Sequence, residues 1–268
     1  MVSRRMLLGV LASGLAGVPL AALAEGDDHH APAPRKAAPK PRPAAARAAP
    51  APVRSTVAEY PKPMEAHAPE VLVNPDEALG RLKHGNAIFA RGGASMALPS
   101  WARIQELSGG QKPFAVIVGC SDSRTAPELI FDCSLGELFV VRVAGSTVGH
   151  EGLGSILYAV EHLGAPLIVV MGHTKCGAVG AAVDVVTKHA HLHGALNDMV
   201  LPIVPAVLEA QSRSPADLQD AAIRQNVHTI ADRLKTADEI LSTRIADGRL
   251  KIVSACYSLQ TAQVEFNV

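Results

Sequence analysis

The run Phe114-Ala115-Val116-Ile117-Val118-Gly119 is continuously apolar and passes without a break into Cys120-Ser121-Asp122-Ser123-Arg124. A short run with no polar side chain has the pattern of a strand buried on both faces. Leu138–Val143 and Leu167–Met171 repeat that pattern, and between them Gly152–Leu163 places Leu153, Ile156, Leu157 and Val160 at helical spacing. Buried strands that alternate with helices predict an α/β fold, a mostly parallel sheet covered by helices.

Outward from this centre, the domain is expected to begin near Asn74. Asn74-Pro75-Asp76-Glu77 offers a capping side chain, a proline at the first helical position and two acids in the first turn. The helix it starts should run to about Arg91 and stop at Gly92-Gly93. Ala178–Thr187, Asp198–Ser212 and Ala216–Ala246 read as further helices, and Lys251–Tyr257 and Ala262–Phe266 as final strands, an edge strand or hairpin at the C-terminus. Residues 74–268 then form one domain, with no internal repeat.

Aromatic residues make up only 3% of the 268, so the core must be built from Val, Ile, Leu and Ala. Basic and acidic residues both number 25, which leaves no global field to draw in nucleic acid or an anionic membrane.

Residues 1–24 read as a signal peptide: Ser3-Arg4-Arg5 precedes the apolar run Met6-Leu7-Leu8-Gly9-Val10-Leu11, and the segment ends Ala22-Leu23-Ala24. Glycines and Pro19 within it, and its small-residue end, argue against a membrane helix, so no stable membrane insertion is expected after cleavage. The paired arginines resemble a twin-arginine signal, which implies export of an already folded chain to a bacterial periplasm. Residues 25–73 are expected to be a disordered tail rich in Pro and Ala. Between 31 and 54 its charged residues are all basic: Arg35, Lys36, Lys40, Arg42, Arg47 and Arg54. Such a stretch cannot bury a core, and its prolines favour extended polyproline II. It reads as a linker or tail, with weak docking on an anionic envelope surface as the alternative.

The third apolar strand, Leu167–Met171, runs into Gly172-His173-Thr174-Lys175-Cys176-Gly177. Both polar clusters therefore sit at carboxyl ends of strands, where open parallel sheets bind ligands. If the two strands are neighbours, Cys120, His173 and Cys176 converge. Cys176 would then open a helix, whose amino end favours the thiolate. Two thiolates and an imidazole suit Zn2+, and three protein ligands leave a fourth position for a water whose pKa falls to ~7. Asp122 and Arg124 can pair at the mouth of such a site. Held that way, Asp122 is an oriented proton acceptor; released, it can take the fourth position and close the site. The bland readings are a salt bridge that only braces the loop, and two disulfides among Cys120, Cys133, Cys176 and Cys256. Cys133 and Cys256 read instead as small buried hydrophobes. His189, His191 and His193 fall in an expected exposed loop, and Lys175 reads as solvated. The glycines of Gly149-His150-Glu151-Gly152-Leu153-Gly154 follow no buried strand and do not read as a nucleotide site.

Cys120-Ser121-Asp122-Ser123-Arg124, Gly136-Glu137-Leu138-Phe139-Val140-Val141-Arg142-Val143-Ala144-Gly145 and Gly172-His173-Thr174-Lys175-Cys176-Gly177-Ala178 together resemble the β-class carbonic anhydrases in order and spacing. The ending Ile252-Val253-Ser254-Ala255-Cys256-Tyr257 resembles that family's last strand, and the resemblance covers roughly Asn74 to the C-terminus. It implies one zinc per subunit on Cys120, His173 and Cys176, an Asp122–Arg124 dyad, and reversible hydration of CO2 to bicarbonate and a proton. It also implies a homodimer or homotetramer with sites at the subunit interface. Ser146 stands where the family commonly has Asn. Ile117 stands where some members carry a Trp of a second, inhibitory bicarbonate site, so no such site is expected. Other functions for the same residues are hydrolysis of COS or CS2, or a non-catalytic, regulatory zinc-binding protein.

Overall fold

The structure, a computed structural model, describes residues 74–94 and 99–268. The expected signal peptide and tail lie outside the described residues. Asn74 Oδ1 accepts from the Asp76 amide and starts helix α1 (Pro75–Phe89). There follow α2 (Trp101–Leu107), β1 (Ala115–Gly119), α3 (Pro127–Ile130), β2 (Leu138–Arg142), α4 (His150–Glu161) and β3 (Leu167–His173). The chain continues with α5 (Gly177–Lys188), α6 (Ala195–Val200), α7 (Val204–Ser212), α8 (Leu218–Lys235), α9 (Glu239–Ala246), β4 (Lys251–Tyr257) and β5 (Val264–Phe266). The sheet order is β2-β1-β3-β4-β5. The first four strands are parallel and β5 closes the edge as an antiparallel hairpin partner of β4, as expected.

The uninterrupted apolar character of β1 and β3 follows from two cores, one on each face. Ile117, Val169 and Met171 pack with Ala78, Leu82 and Phe131 on one side. Val116, Val118, Ile168 and Val170 pack with Ile156, Val160, Val227 and Ile230 on the other. Alternate residues of one strand serve opposite cores, so neither face can carry a polar side chain.

Two expected helices are divided. The stretch 198–212 falls into α6, a 3-10 turn at Leu201–Ile203 and α7, with Pro202 and Pro205 at the starts of the last two pieces. A proline donates no N–H and crowds the residue before it, so each restarts the helix. The stretch 216–246 breaks after Lys235, and Asp238 caps α9 by accepting from the Ile240 amide. Helices α2 and α3, seven and four residues long, were not anticipated.

Buried Asn86 ties distant parts together. Its Nδ2 donates to the carbonyls of Ile130 (3.2 Å) and Ala262 (3.0 Å), and its Oδ1 accepts from the Val264 amide (2.8 Å). Alanine there would leave the buried Ile130 carbonyl and two half-buried groups of Ala262 and Val264 without this partner, at about 1–3 kcal/mol for the fully buried one and less for each of the others. Asn86→Ala is therefore expected to cost about 2–3 kcal/mol. Equilibrium denaturation checks this; a loss under about 1 kcal/mol would show the amide to be dispensable. Among the described residues no helix is long and apolar enough to cross a membrane.

Candidate metal centre

Strands β1 and β3 are parallel neighbours with Gly119 opposite Met171, so the residues that follow leave the same edge of the sheet. Cys120 follows β1, His173 ends β3, and Cys176 is the N-cap of α5. Their ligand atoms all lie within 4.8 Å of one another, and all three residues are buried. The two Sγ atoms are 3.9 Å apart, far beyond the ~2.05 Å of a disulfide. All four cysteines are free.

His173 Nδ1 lies 3.0 Å from the Thr174 carbonyl, which can only accept, so Nδ1 carries the proton. This leaves the Nε2 lone pair facing the thiols. Nε2 is the only buried side-chain nitrogen or oxygen without a hydrogen-bond partner among the described residues. Such an atom costs about 1–3 kcal/mol unless something binds it. A cation bound by one imidazole and two thiolates resolves that cost, and this soft donor set fits zinc.

The thiols are also prepared for a cation. With no metal, the nearby Cys176 side chain pushes the Cys120 thiol down to about 3 against the opposing effect of burial, helped by His173 and the amides of Asp122 and Gly145. Cys176 is pushed upward in turn, first by Cys120 and then by burial, while the amides of Val179 and Ala178 at the start of α5 pull it down. Cys120 is thus the sulfur whose surroundings favour the thiolate more strongly. The Gly145 amide stands 3.4 Å from Cys120 Sγ. Glycine is required there: its φ is 73°, and a Cβ would lie 2.6 Å from Ile203 Cδ1.

The expected Asp122–Arg124 pair is present. Asp122 Oδ1 accepts from Arg124 Nε and from its main-chain amide, both at 2.9 Å, and Oδ2 accepts from the guanidinium at 2.7 Å. Asp122 Oδ2 lies 3.8 Å from His173 Nε2, so the carboxylate stands at the mouth of the centre. The Arg124 guanidinium holds the Asp122 carboxyl well below the usual carboxylate range.

One contact was not foreseen. Arg142, the last residue of β2, donates from Nε to the Cys120 carbonyl (2.7 Å) and from Nη2 to the Asp122 carbonyl (2.6 Å). The available signal was a cation closing an otherwise apolar strand. Ser146 is buried and donates to the Met171 carbonyl at 2.8 Å, while Ile117 is a core residue. Cys133 and Cys256 are buried as expected, and burial pushes the Cys256 thiol up to about 11. His189, His191 and His193 are exposed, as is Lys175.

Residues 115–264 match the family model described as carbonic anhydrase. The chain is 42% identical over 186 residues to carbonic anhydrase 2 of Mycobacterium tuberculosis, covering 69% of this chain and 89% of that protein. Its fold is similar to that of the β-carbonic anhydrase CcaA, with a TM-score of 0.53 and 28% identity over 61% of this chain and 83% of that one. A tetrameric β-carbonic anhydrase of Sordaria macrospora shares the fold at a TM-score of 0.55 and 23% identity, over 61% and 84% of the two chains. With its parallel sheet, and with two thiols and an imidazole gathered at the carboxyl ends of adjacent strands, this chain belongs to the β-class carbonic anhydrases.

Proposed function

We propose that Cys120, His173 and Cys176 hold one zinc ion, and that Asp122 and Arg124 serve the reversible hydration of CO2 to bicarbonate and a proton at that centre. The observation that carries this is the unpartnered His173 Nε2, buried within 4.8 Å of two thiols. Zinc, when bound, supplies a Lewis acid that makes water a nucleophile near neutral pH. The chain's own groups do the rest. The amides around Cys120 and Cys176 stabilise two thiolates side by side. Asp122 accepts a hydrogen bond from the attacking water and so aims its lone pair. Arg124 keeps that carboxylate anionic and holds it back from the ligand positions. Family membership does not favour COS or CS2 hydrolysis, or a non-catalytic zinc protein. Stopped-flow CO2 hydration by the zinc-loaded protein is the test. A rate no faster than buffer alone would sink the assignment.

Assembly as a homodimer or homotetramer is the accompanying proposal. Trp101, Leu129 and Leu135 are exposed apolar side chains, and so are Leu196, Leu201 and Leu208. The relative from Sordaria macrospora is tetrameric.

Export by the twin-arginine route to the periplasm is proposed from Arg4-Arg5 and Ala22-Leu23-Ala24. Changing Arg4 and Arg5 together to Lys keeps the charge and should strand the protein in the cytoplasm. Cell fractionation checks it, and normal appearance of the double variant outside the cytoplasm would point to the general secretory route.

A further inference from the structure

We propose that Arg142 is a positioning residue: it fixes the turn Cys120–Asp122 on the end of the sheet, so that the Cys120 sulfur and the Asp122 carboxylate reach the metal centre together. The inference deepens the zinc reading above and rests on it.

The parallel ladder between β1 and β2 ends at Gly119 opposite Arg142, with the Val143 amide adding one last bond to the Gly119 carbonyl (3.0 Å). Beyond that point the sheet supplies no donors for the carbonyls of Cys120 and Asp122. Arg142 supplies them from one planar group, with Nε on Cys120 and Nη2 on Asp122. A fork that holds two carbonyls two residues apart fixes both the position and the tilt of the turn, and charge-assisted bonds are roughly twice as strong as neutral ones. Thr125 Oγ1 approaches the same two carbonyls, at 3.3 Å and 2.9 Å, and its amide donates to Asp122 at 3.0 Å. Thr125 belongs to the same loop, however, whereas Arg142 belongs to the neighbouring strand.

That difference assigns the roles. Asp122 and Arg124 stand two residues apart in one loop, so their pair orients the carboxylate within that loop only. Cys120 is joined to β1 and its sulfur meets the Gly145 amide, but at the Asp122 end of the turn it is Arg142 that supplies the tie to β2 and so to the sheet that also carries His173. Without the fork the Asp122–Arg124 pair would persist, but displaced from His173 Nε2. Lysine keeps the charge but has no fork, so it can hold one carbonyl and not both.

Arg142→Lys and Arg142→Met should both fold and take up one metal per chain. Their kcat should fall about 10–100-fold, the range seen when groups supporting a metal site are lost, with Lys the milder. KM should change far less. The separate readout is the cobalt-substituted protein, whose ligand-field absorption bands should shift in both variants. Either variant, folded and metal-loaded with wild-type kcat and unchanged cobalt bands, would overturn the proposal. So would failure of both to fold, because that would make Arg142 a bracing residue of β2. A wild-type protein without CO2 hydration would defeat the zinc-enzyme reading instead, while the cobalt bands would still report on the turn.

Discussion

Replacing His173 or Cys176 by alanine is expected to empty the centre of zinc and bring CO2 hydration down to the background rate. The three ligands leave little redundancy. Among the described residues this is the only group of three or more metal-binding side chains gathered within 4.8 Å. Loss of a supporting contact around a metal typically costs about 10–100-fold in affinity, and loss of a direct ligand should cost more. The two substitutions should differ in their metal-free forms. His173→Ala removes a buried nitrogen that has no partner, so the apo protein should not lose the stability expected of a lost hydrogen bond at Nε2. Cys176→Ala removes the neighbour that most strongly draws Cys120 toward its thiolate, so the Cys120 thiol should titrate higher than in the wild type. Metal analysis with thermal melts in the presence of chelator and of zinc checks both. Full zinc occupancy in either variant would overturn the ligand assignment.

Asp122→Asn is expected to lower activity by about 100-fold or more with zinc retained, in the range that a positioned proton acceptor contributes. The pH dependence separates its role from that of the metal. Arg124 holds the Asp122 carboxyl below the ordinary range, so it is ionised throughout the neutral region and its own titration cannot shape the profile there. Wild-type activity should rise with pH through about 7, where zinc favours the ionisation of water. Asp122→Asn should be slow on both sides of that rise. Arg124→Ala should behave differently, because it releases a carboxylate whose Oδ2 is already 3.8 Å from His173 Nε2. That carboxylate can then compete for the open ligand position and keep the site closed even at high pH. Rate–pH profiles with zinc measured at each pH decide between the roles. A zinc-loaded Asp122→Asn protein of full activity would remove Asp122 from the mechanism.

The parts of the fold readable in the sequence were those governed by local burial. β1 and β3 are buried at every residue, and their unbroken apolar runs say so directly. The meeting of Cys120 with His173 stayed conditional, because it depends on β1 lying beside β3, and no local pattern encodes strand order. Arg142 was visible as part of a motif, yet its partners lie 20 and 22 residues away across that same strand order. Asn86 reaches partners 44, 176 and 178 residues distant, beyond any periodicity. The helix breaks at Pro202 and Pro205 were legible in principle, but the apolar spacing around them suggested continuity.

The start of α1 has a practical consequence for attaching this enzyme to a solid support. Asp76 pairs with Lys251, so the chain enters the domain beside the first residue of β4. The last residue of β4, Tyr257, lies level with His173. Six strand steps separate those two levels, about 20 Å at ~3.3 Å per residue. A linker joined ahead of Asn74 therefore starts from the end of the strands opposite the metal centre, and beads or films coupled there would be held away from it. The stretch at Val268 is a poorer handle. The Val268 carbonyl accepts from Ser254 Oγ at 2.7 Å and the Asn267 amide donates to the Ser254 carbonyl, so a load on that end would pull on the middle of β4.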